Sequence, residues 1–516
     1  MQLIKVFKKG LFMSQSSTQI NKRLKSLQKH LADEHPDNPV LAKAVESFRK
    51  MDYVGRNMGL IAKDESFATC VTWWPMVALL GTFSAGKSTY INSYLGTSLQ
   101  RTGNQAVDDK FTVICYSRHN EVKTLPGVAL DADPRFPFFH ISRSIEEISD
   151  SEQQQIDAYL QLKTCPSENV RGKILIDSPG FDADNQRAST LRLTQHIIDL
   201  SDLVLVFFDA RHPEPKAMRD TLEYLVSANM NRADSNKFLY ILNQMDVTAK
   251  EDNPEEVVAA WQRSLAEVGL IAGRFYRIYN PDSAVPFDNP QVQERYERKR
   301  EEDMKDIDER IREIEVERSY RIVSKLEQTA KEIKNQAVSK LNEMLRQWKN
   351  RVLLWDGLVF GALAALIGIT LTLTDGWSWI NAFFANVFAG ETISLIGFAV
   401  LLGVIAYLHI SIRNTSARRI LEKLADEIGE NSDTYKQYAQ AFSKSTAVYR
   451  PLFLKNPAGW HEVSEQIIDE VIVEANDYIQ ALNDQFTNPS GLDEESTPVA
   501  QQPIEAVSEQ PQGASA

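Results

Sequence analysis

Apolar positions follow three successive patterns along this chain. Between residues 14 and 66 they recur at helical spacing, and Leu24, Leu27 and Leu31, then Leu41, Val45 and Phe48, predict amphipathic helices. From Trp74 to Pro281 short unbroken apolar runs alternate with amphipathic stretches. The runs 76–80, 173–176, 203–208 and 238–242 read as strands buried on both faces, the signature of a mostly parallel sheet covered by helices. Residues 289–351 form a long charged tract. In it Ile307, Ile311, Ile314, Leu326, Ala330, Ile333, Ala337, Leu341 and Leu345 keep three–four spacing, as in a stalk or helical bundle. Helical periodicity returns over 418–442 and 462–486. From residue 488 Pro, Gln, Ser and Glu dominate, and the tail to 516 is expected to be disordered.

Two apolar segments interrupt the helical half. Residues 352–374 carry one charge, Asp356, near their start, and 393–412 carry only His409 as a titratable group. Each has the ~20 residues that cross a bilayer as a helix. Arg346, Lys349 and Arg351 precede the first, and Arg413, Arg418 and Arg419 follow the second. The connecting loop holds Asp375 and Glu391 and no Lys or Arg, so both outer ends are expected to face the cytoplasm. Trp377, Trp379, Phe383, Phe384 and Phe388 in that loop suit an aromatic interface belt. A hairpin buried inside a large soluble domain, or a paddle dipping into one leaflet, are the alternatives. Two segments with no interior charged pair argue against a transporter.

At 516 residues the chain has room for two or three domains. Its net charge of −13 excludes bulk attraction to nucleic acid. Cys70, Cys115 and Cys165 have neither metal spacing nor an even framework, which fits a reducing compartment. Residues 1–13 are basic and lack the apolar core of a signal peptide; they read as a leader, or as an interfacial anchor.

The chemistry is concentrated in three motifs. The run 76–80 leads into G-x-x-x-x-G-K-S, with Gly81, Ser84, Ala85, Gly86, Lys87, Ser88 and Thr89, and a helical pattern follows. Strand, loop and helix in that order form a phosphate-binding P-loop, whose backbone N–H groups wrap a phosphate in front of a helix N-terminus. Lys87 is expected to reach the β- and γ-phosphates, and the Ser88 hydroxyl to complete Mg²⁺ coordination. Asp177 and Gly180 form D-x-x-G at the end of the run 173–176, with Asp177 holding Mg²⁺ through water and the Gly180 N–H meeting the γ-phosphate. Asn243 and Asp246 form a variant of N-K-x-D after the run 238–242, with Gln244 in place of Lys. A carboxylate at Asp246 accepts two hydrogen bonds from guanine, a donor pair that adenine lacks. Asn280 is placed to complete the base pocket. Phe181 follows Gly180, so no Gln stands there to orient the attacking water.

These residues resemble the dynamin superfamily of large GTPases. The stretch 81–89, followed by Ile91, Asn92, Leu95 and Gly96, is similar to bacterial dynamin-like proteins, and Ser84 matches the P-loop serine that the family uses in catalysis. Residues 76–247 resemble most closely the EH-domain ATPases and sarcalumenin, through 125–134, Pro137, Phe138 and 205–210. The hairpin arrangement is similar to mitofusins. The resemblance implies an α/β P-loop GTPase domain with a doubly wound, mostly parallel sheet, plus an α-helical stalk bearing a transmembrane hairpin. The expected division is a leader 1–13, N-terminal stalk helices 14–66, a GTPase domain 67–288, a long stalk 289–351, a hairpin 352–412, C-terminal stalk helices 413–487 and a tail 488–516. It further implies hydrolysis of GTP with Mg²⁺, catalysis through Ser84 and Lys87, membrane remodelling, self-association through GTPase domain and stalk, and a cytoplasmic GTPase domain (at the inner membrane in a bacterium).

The chain also departs from the pattern. Where the EH branch has a P-T-T-D switch, residues 105–109 read Gln-Ala-Val-Asp-Asp, leaving Thr102 or Thr112 as substitutes. The branch's dimer-interface W-S-L corresponds to Arg263, Ser264 and Leu265, with Trp261 two residues early. A nucleotide-dependent scaffold with negligible turnover, and an ATPase of the EH type, are the rival readings.

Overall fold

A computed structural model describes residues 18–102, 110–119, 121–132, 135–136, 156–180, 188–212, 237–250, 253–267, 269, 273–374, 376–430 and 432–487. The leader, the tail, the switch stretch 105–109, Phe181, and Pro134, Pro137 and Phe138 lie outside them.

The apolar runs form the centre of an eight-stranded sheet in the order β3-β4-β2-β5-β1-β6-β7-β8. These strands are β1 (Met76–Gly81), β2 (Phe111–Tyr116), β3 (Lys123–Pro126), β4 (Leu160–Cys165), β5 (Ile174–Asp177), β6 (Leu203–Asp209), β7 (Phe238–Asn243) and β8 (Arg274–Arg277). β1, β5, β6 and β7 are buried at every position, because helices cover both faces. The sheet is mixed: β2 runs antiparallel to β5, and β3 to β4, while the other pairings are parallel. The reading by apolar runs missed β2, β3, β4 and β8. β3 is exposed throughout, and β4 interrupts its apolar side chains with Gln161, Lys163 and Thr164.

Of two N-terminal helices, α1 (Thr18–Glu34) and α2 (Pro39–Met58), the first packs on the second, and α2 packs on the long central helix and on the C-terminal helix α12 (Glu462–Thr487). Ser47 donates to Glu474 at 2.6 Å, and the Lys334 ammonium meets Asp469 at 2.7 Å. The central helix is continuous from Pro290 to Leu373. It comprises α7 (Pro290–Lys331), a π-helical turn (Glu332–Ala337) and α8 (Val338–Leu373). At 1.5 Å per residue its 84 residues reach about 125 Å. Ile307, Ile311 and Ile314 pack under one face of the sheet, whereas Ile322, Leu326, Ala330, Leu341 and Leu345 enter the bundle core. One helix therefore joins the sheet, the bundle and the first apolar segment.

That segment and the second, in α10 (Thr392–Ile428), are long and apolar enough to cross a membrane, and only 6% of the most apolar window of each helix is buried. Among the described residues, then, nothing buries the hairpin inside a soluble domain. Two expectations change here. The connection is not a plain loop: α9 (Trp377–Phe388) is a helix free of Gly and Pro, and its Phe384 ring sits 6.3 Å from Phe398 of α10. The two polar residues also meet, with His409 Nδ1 2.8 Å from Asp356 Oδ2, so the hairpin does contain an interior polar pair. Sequence spacing missed it because the partners are 53 residues apart. The helical pattern over 418–442 is likewise broken, at Gly429 (φ 90°), before α11 (Asp433–Ser445) begins.

Candidate functional site

The three motifs leave the carboxyl ends of β1, β5 and β7, where parallel strands of an open α/β sheet form a crevice. β1 lies between β5 and β6, and β6 pairs with β7, so the phosphate loop, the D-x-x-G turn and the base motif share one rim. They line one cavity of about 1110 Å³. Ser84, Ala85, Gly86, Lys87, Ser88, Thr89, Asp177, Gly180, Asn243, Asp246 and Asn280 are all among its walls. Gly81 lies beneath the loop, and its carbonyl accepts a 2.9 Å hydrogen bond from the Lys87 ammonium.

The loop needs its glycines and holds strain. Gly86 has φ +84°, and a Cβ there would come within 2.2 Å of Asn243 Nδ2. Ser84 adopts φ 61° without being glycine, a conformation that costs an L-residue about 1 kcal/mol and persists only when its surroundings hold it. Two neighbours do so. The Gln244 amide donates to the Ser84 carbonyl at 2.6 Å, and Asn243 Nδ2 donates to the Ala85 carbonyl at 2.9 Å. Behind the loop, α3 (Lys87–Leu95) points its N-terminus into the cavity. Lys87 is buried, and desolvation lowers its pKa against the opposing pull of Asp177. Its ammonium now rests on the Gly81 and Thr82 carbonyls, contacts that phosphate oxygens would replace.

Asp177 ends β5, and Gln100 Nε2 donates to its Oδ2 at 2.6 Å. Asn92 fixes that glutamine by accepting from the Leu99 and Gln100 N–H groups and donating to the Gln100 carbonyl. Lys163 holds the other end of the Gln100 amide. Ser178 Oγ is buried without a hydrogen-bond partner among the described residues. A serine hydroxyl and a carboxylate on one polar wall are the oxygen donors that Mg²⁺ takes when phosphate and water complete its shell, so these residues fit the ion.

At the base end, Asp246 Oδ2 accepts from the Val285 N–H at 2.8 Å. Burial raises its pKa, while that bond and Arg211 act the other way. Gln244, like Ser84, has a positive φ, of 64°. Thr102 lines the cavity, whereas Thr112 sits buried inside β2 and accepts from Gln161, outside the cavity walls. Trp261 is buried against Phe208 and Phe275 rather than presented at a surface.

The motifs alone did not point to Gln100, Val285 or Arg211. Arg211 lines the cavity, forms a two-pronged ion pair with Asp209 and reaches the Ser84 carbonyl at 3.5 Å. Its one sequence signal is its place two residues beyond the end of β6.

Residues 77–245 match the Dynamin family. EH domain-containing protein 1 of Homo sapiens is 26% identical over 182 residues, 33% of this chain and 31% of that protein. An Arabidopsis thaliana protein described as a probable transmembrane GTPase FZO-like, chloroplastic, is 22% identical over 187 residues, 36% of this chain and 16% of that protein. The chain thus aligns with less than a third of the length of these curated relatives. A solved structure of an oligomerised bacterial dynamin pair, described as sensing and tethering membranes at long range, covers 81% of this chain and 72% of its own at 14% identity, with a TM-score of 0.29.

Proposed function

We propose, from the premise that this chain carries a dynamin-superfamily GTPase domain, that it hydrolyses GTP to GDP and phosphate and passes the resulting change through its stalk to a lipid bilayer. The observation that carries the reading is the single cavity in which the phosphate loop, Asp177 with Gly180, and Asp246 converge. The Asp246 carboxylate, held by the Val285 N–H, has an acceptor for guanine N1 and N2. Backbone N–H groups of the loop and the start of α3 cradle the phosphates, and Lys87 balances charge on the β- and γ-oxygens. Ser84 places its hydroxyl at the β–γ bridging region. Ser88 directly, and Asp177 through water, would hold Mg²⁺, which when bound neutralises phosphate charge. Water attacks the γ-phosphorus as the bond to the bridging oxygen breaks, and Ser84 and Lys87 stabilise the charge that accumulates there. Loss of the γ-phosphate then frees the Gly180 N–H, which lets the switch segments relax.

The hairpin 352–412 would anchor the chain, with the GTPase domain and both termini on the cytoplasmic side. The continuous helix from Pro290 to Leu373 gives the domain a mechanical route to the bilayer. Self-association through GTPase domain and stalk would turn that movement into remodelling.

Turnover of GTP and of ATP by the full-length protein, with and without vesicles, tests the reading. GTP turnover that rises on vesicles is expected. A preference for ATP moves the protein to the EH type, and tight binding without turnover of either nucleotide makes it a scaffold.

A further inference from the structure

The bundle ends, beside the hairpin, in an irregular segment (446–461) between α11 and α12. Polar contacts fix its height. The Arg413 guanidinium, one residue past the second apolar segment, donates to the carbonyls of Ala447 at 3.1 Å and Arg450 at 2.9 Å. Arg413 also lies over the Trp348 ring, 5.1 Å from its centroid, and Trp348 Nε1 donates to the Arg413 carbonyl. Lys349 donates to the Leu454 carbonyl. Trp348 and Lys349 immediately precede the first apolar segment, so residues 447–454 stand where both apolar helices leave the bundle.

Leu452 and Trp460 anchor this segment in the core and Arg450 Nη2 donates to the Asn456 carbonyl at 3.2 Å, but its other large apolar side chains point away from the core. Tyr449 and Phe453 are 80% and 79% exposed, and Val448 and Leu454 about half exposed. Arg450 and Lys455 alternate with them, and no acidic residue occurs between 446 and 461. At the same height the exposed Leu353, Leu354 and Trp355 begin the apolar surface of the hairpin. Aromatic and aliphatic tips mixed with cations, and continuous with a hydrocarbon-facing surface, have the chemistry of a contact with anionic headgroups.

We propose that residues 447–455 form an interfacial wedge seated among the headgroups of an anionic leaflet beside the hairpin. Tyr449 and Phe453 enter the headgroup boundary, and Arg450 and Lys455 meet lipid phosphate. This rests on the hairpin's crossing the bilayer. With two attachments the bundle would be held at a set tilt, so a swing of the stalk would bend the leaflet rather than turn freely about the hairpin.

The test uses full-length protein with Cys70→Ser, leaving the buried Cys115 and Cys165 in place, and an environment-sensitive fluorophore on Phe453→Cys or, separately, Leu363→Cys. Each is reconstituted in phosphatidylcholine vesicles with and without phosphatidylserine. We expect the label at 453 to shift to shorter wavelength, to be quenched by lipid carrying a nitroxide near the headgroup, and to be quenched more with phosphatidylserine. Arg450→Glu with Lys455→Glu should remove that increase. If the label at 453 stays open to iodide while that at 363 is quenched by lipid, the wedge is wrong and the hairpin reading stands. If neither label is quenched by lipid, the hairpin reading fails and the wedge falls with it. A label at 453 shielded from iodide but untouched by lipid quencher means that protein covers the segment, which also overturns the wedge.

Discussion

The side-chain amide of Gln244 donates a 2.6 Å hydrogen bond to the carbonyl oxygen of Ser84, and both residues hold a positive φ. The bond crosses 160 positions of sequence and ties the base motif to the phosphate loop. A residue that stands where N-K-x-D has Lys therefore pins the strained residue of the phosphate loop. Gln244→Ala should weaken GTP binding about five- to tenfold, the effect of one hydrogen bond of ~1 kcal/mol. Calorimetric titration checks this, and unchanged affinity would show that the clamp contributes nothing to binding.

Lys87→Ala should weaken any nucleoside triphosphate by about 10- to 100-fold, because a buried charge-assisted contact is worth ~1.5–3 kcal/mol. Binding at full strength would refute the assignment of the phosphate loop.

Asp246→Ala should discriminate between bases. GTP affinity should fall about tenfold or more through loss of a charged acceptor, with ATP affinity nearly constant. Equal losses for both nucleotides would show that the carboxylate does not read guanine.

Asp202 begins the rim opposite the site and ties sheet to stalk. Its carboxylate accepts from the Met76 N–H at 2.9 Å, meets Arg321 at 2.6 Å and pairs with Arg318. Asp202→Ala should destabilise the fold by about 2–4 kcal/mol, since it orphans a buried N–H and leaves the half-buried Arg318 unpaired. Thermal melting, with limited proteolysis of the 290–331 helix, would reveal the loss. A melting temperature equal to that of the unaltered chain would show the contact to be incidental.

Asp52 is fully buried in α2, and desolvation, opposed by Arg56, raises its carboxyl from 3.8 to about 6. The folded protein therefore takes up this proton more readily than the unfolded chain. The contribution to stability is complete below about pH 4 and is lost as pH rises through about 6. At ~1.4 kcal/mol per unit, the difference in stability between the unaltered chain and Asp52→Asn should move by roughly 3 kcal/mol against the unaltered chain between pH 4 and 7, then level off. A difference that does not vary over that range would contradict the buried, protonatable carboxyl.

Removal of residues 352–412 should leave a protein that no longer sediments with vesicles after a salt wash. Persistent sedimentation would make the hairpin a secondary anchor.

What could be read without the fold was local. The phosphate loop is contiguous, so glycines, lysine and serine announce their chemistry by spacing alone. β1, β5, β6 and β7 are unbroken apolar runs because helices bury both their faces. The apolar segments are long enough to declare themselves by composition. The reading failed where partners are remote or polarity is mixed. β4 keeps polar side chains at the flank of the sheet, and Thr112 looked like a switch residue until β2 enclosed it. Asp356 and His409 carried no mark of each other.

The sequence by itself determined the buried central strands, most of the long helices, the apolar spans and the three motifs proposed to meet phosphate and base, because these depend on neighbours within a few positions. Only the tertiary structure decided that one helix runs from beneath the sheet to the end of the hairpin, that Gln244 steadies Ser84, that Gln100 orients Asp177, and that Arg413 draws residues 447–450 against the hairpin's base. Each of these joins groups brought together by burial of the shared core, a property of the whole chain that no local pattern encodes.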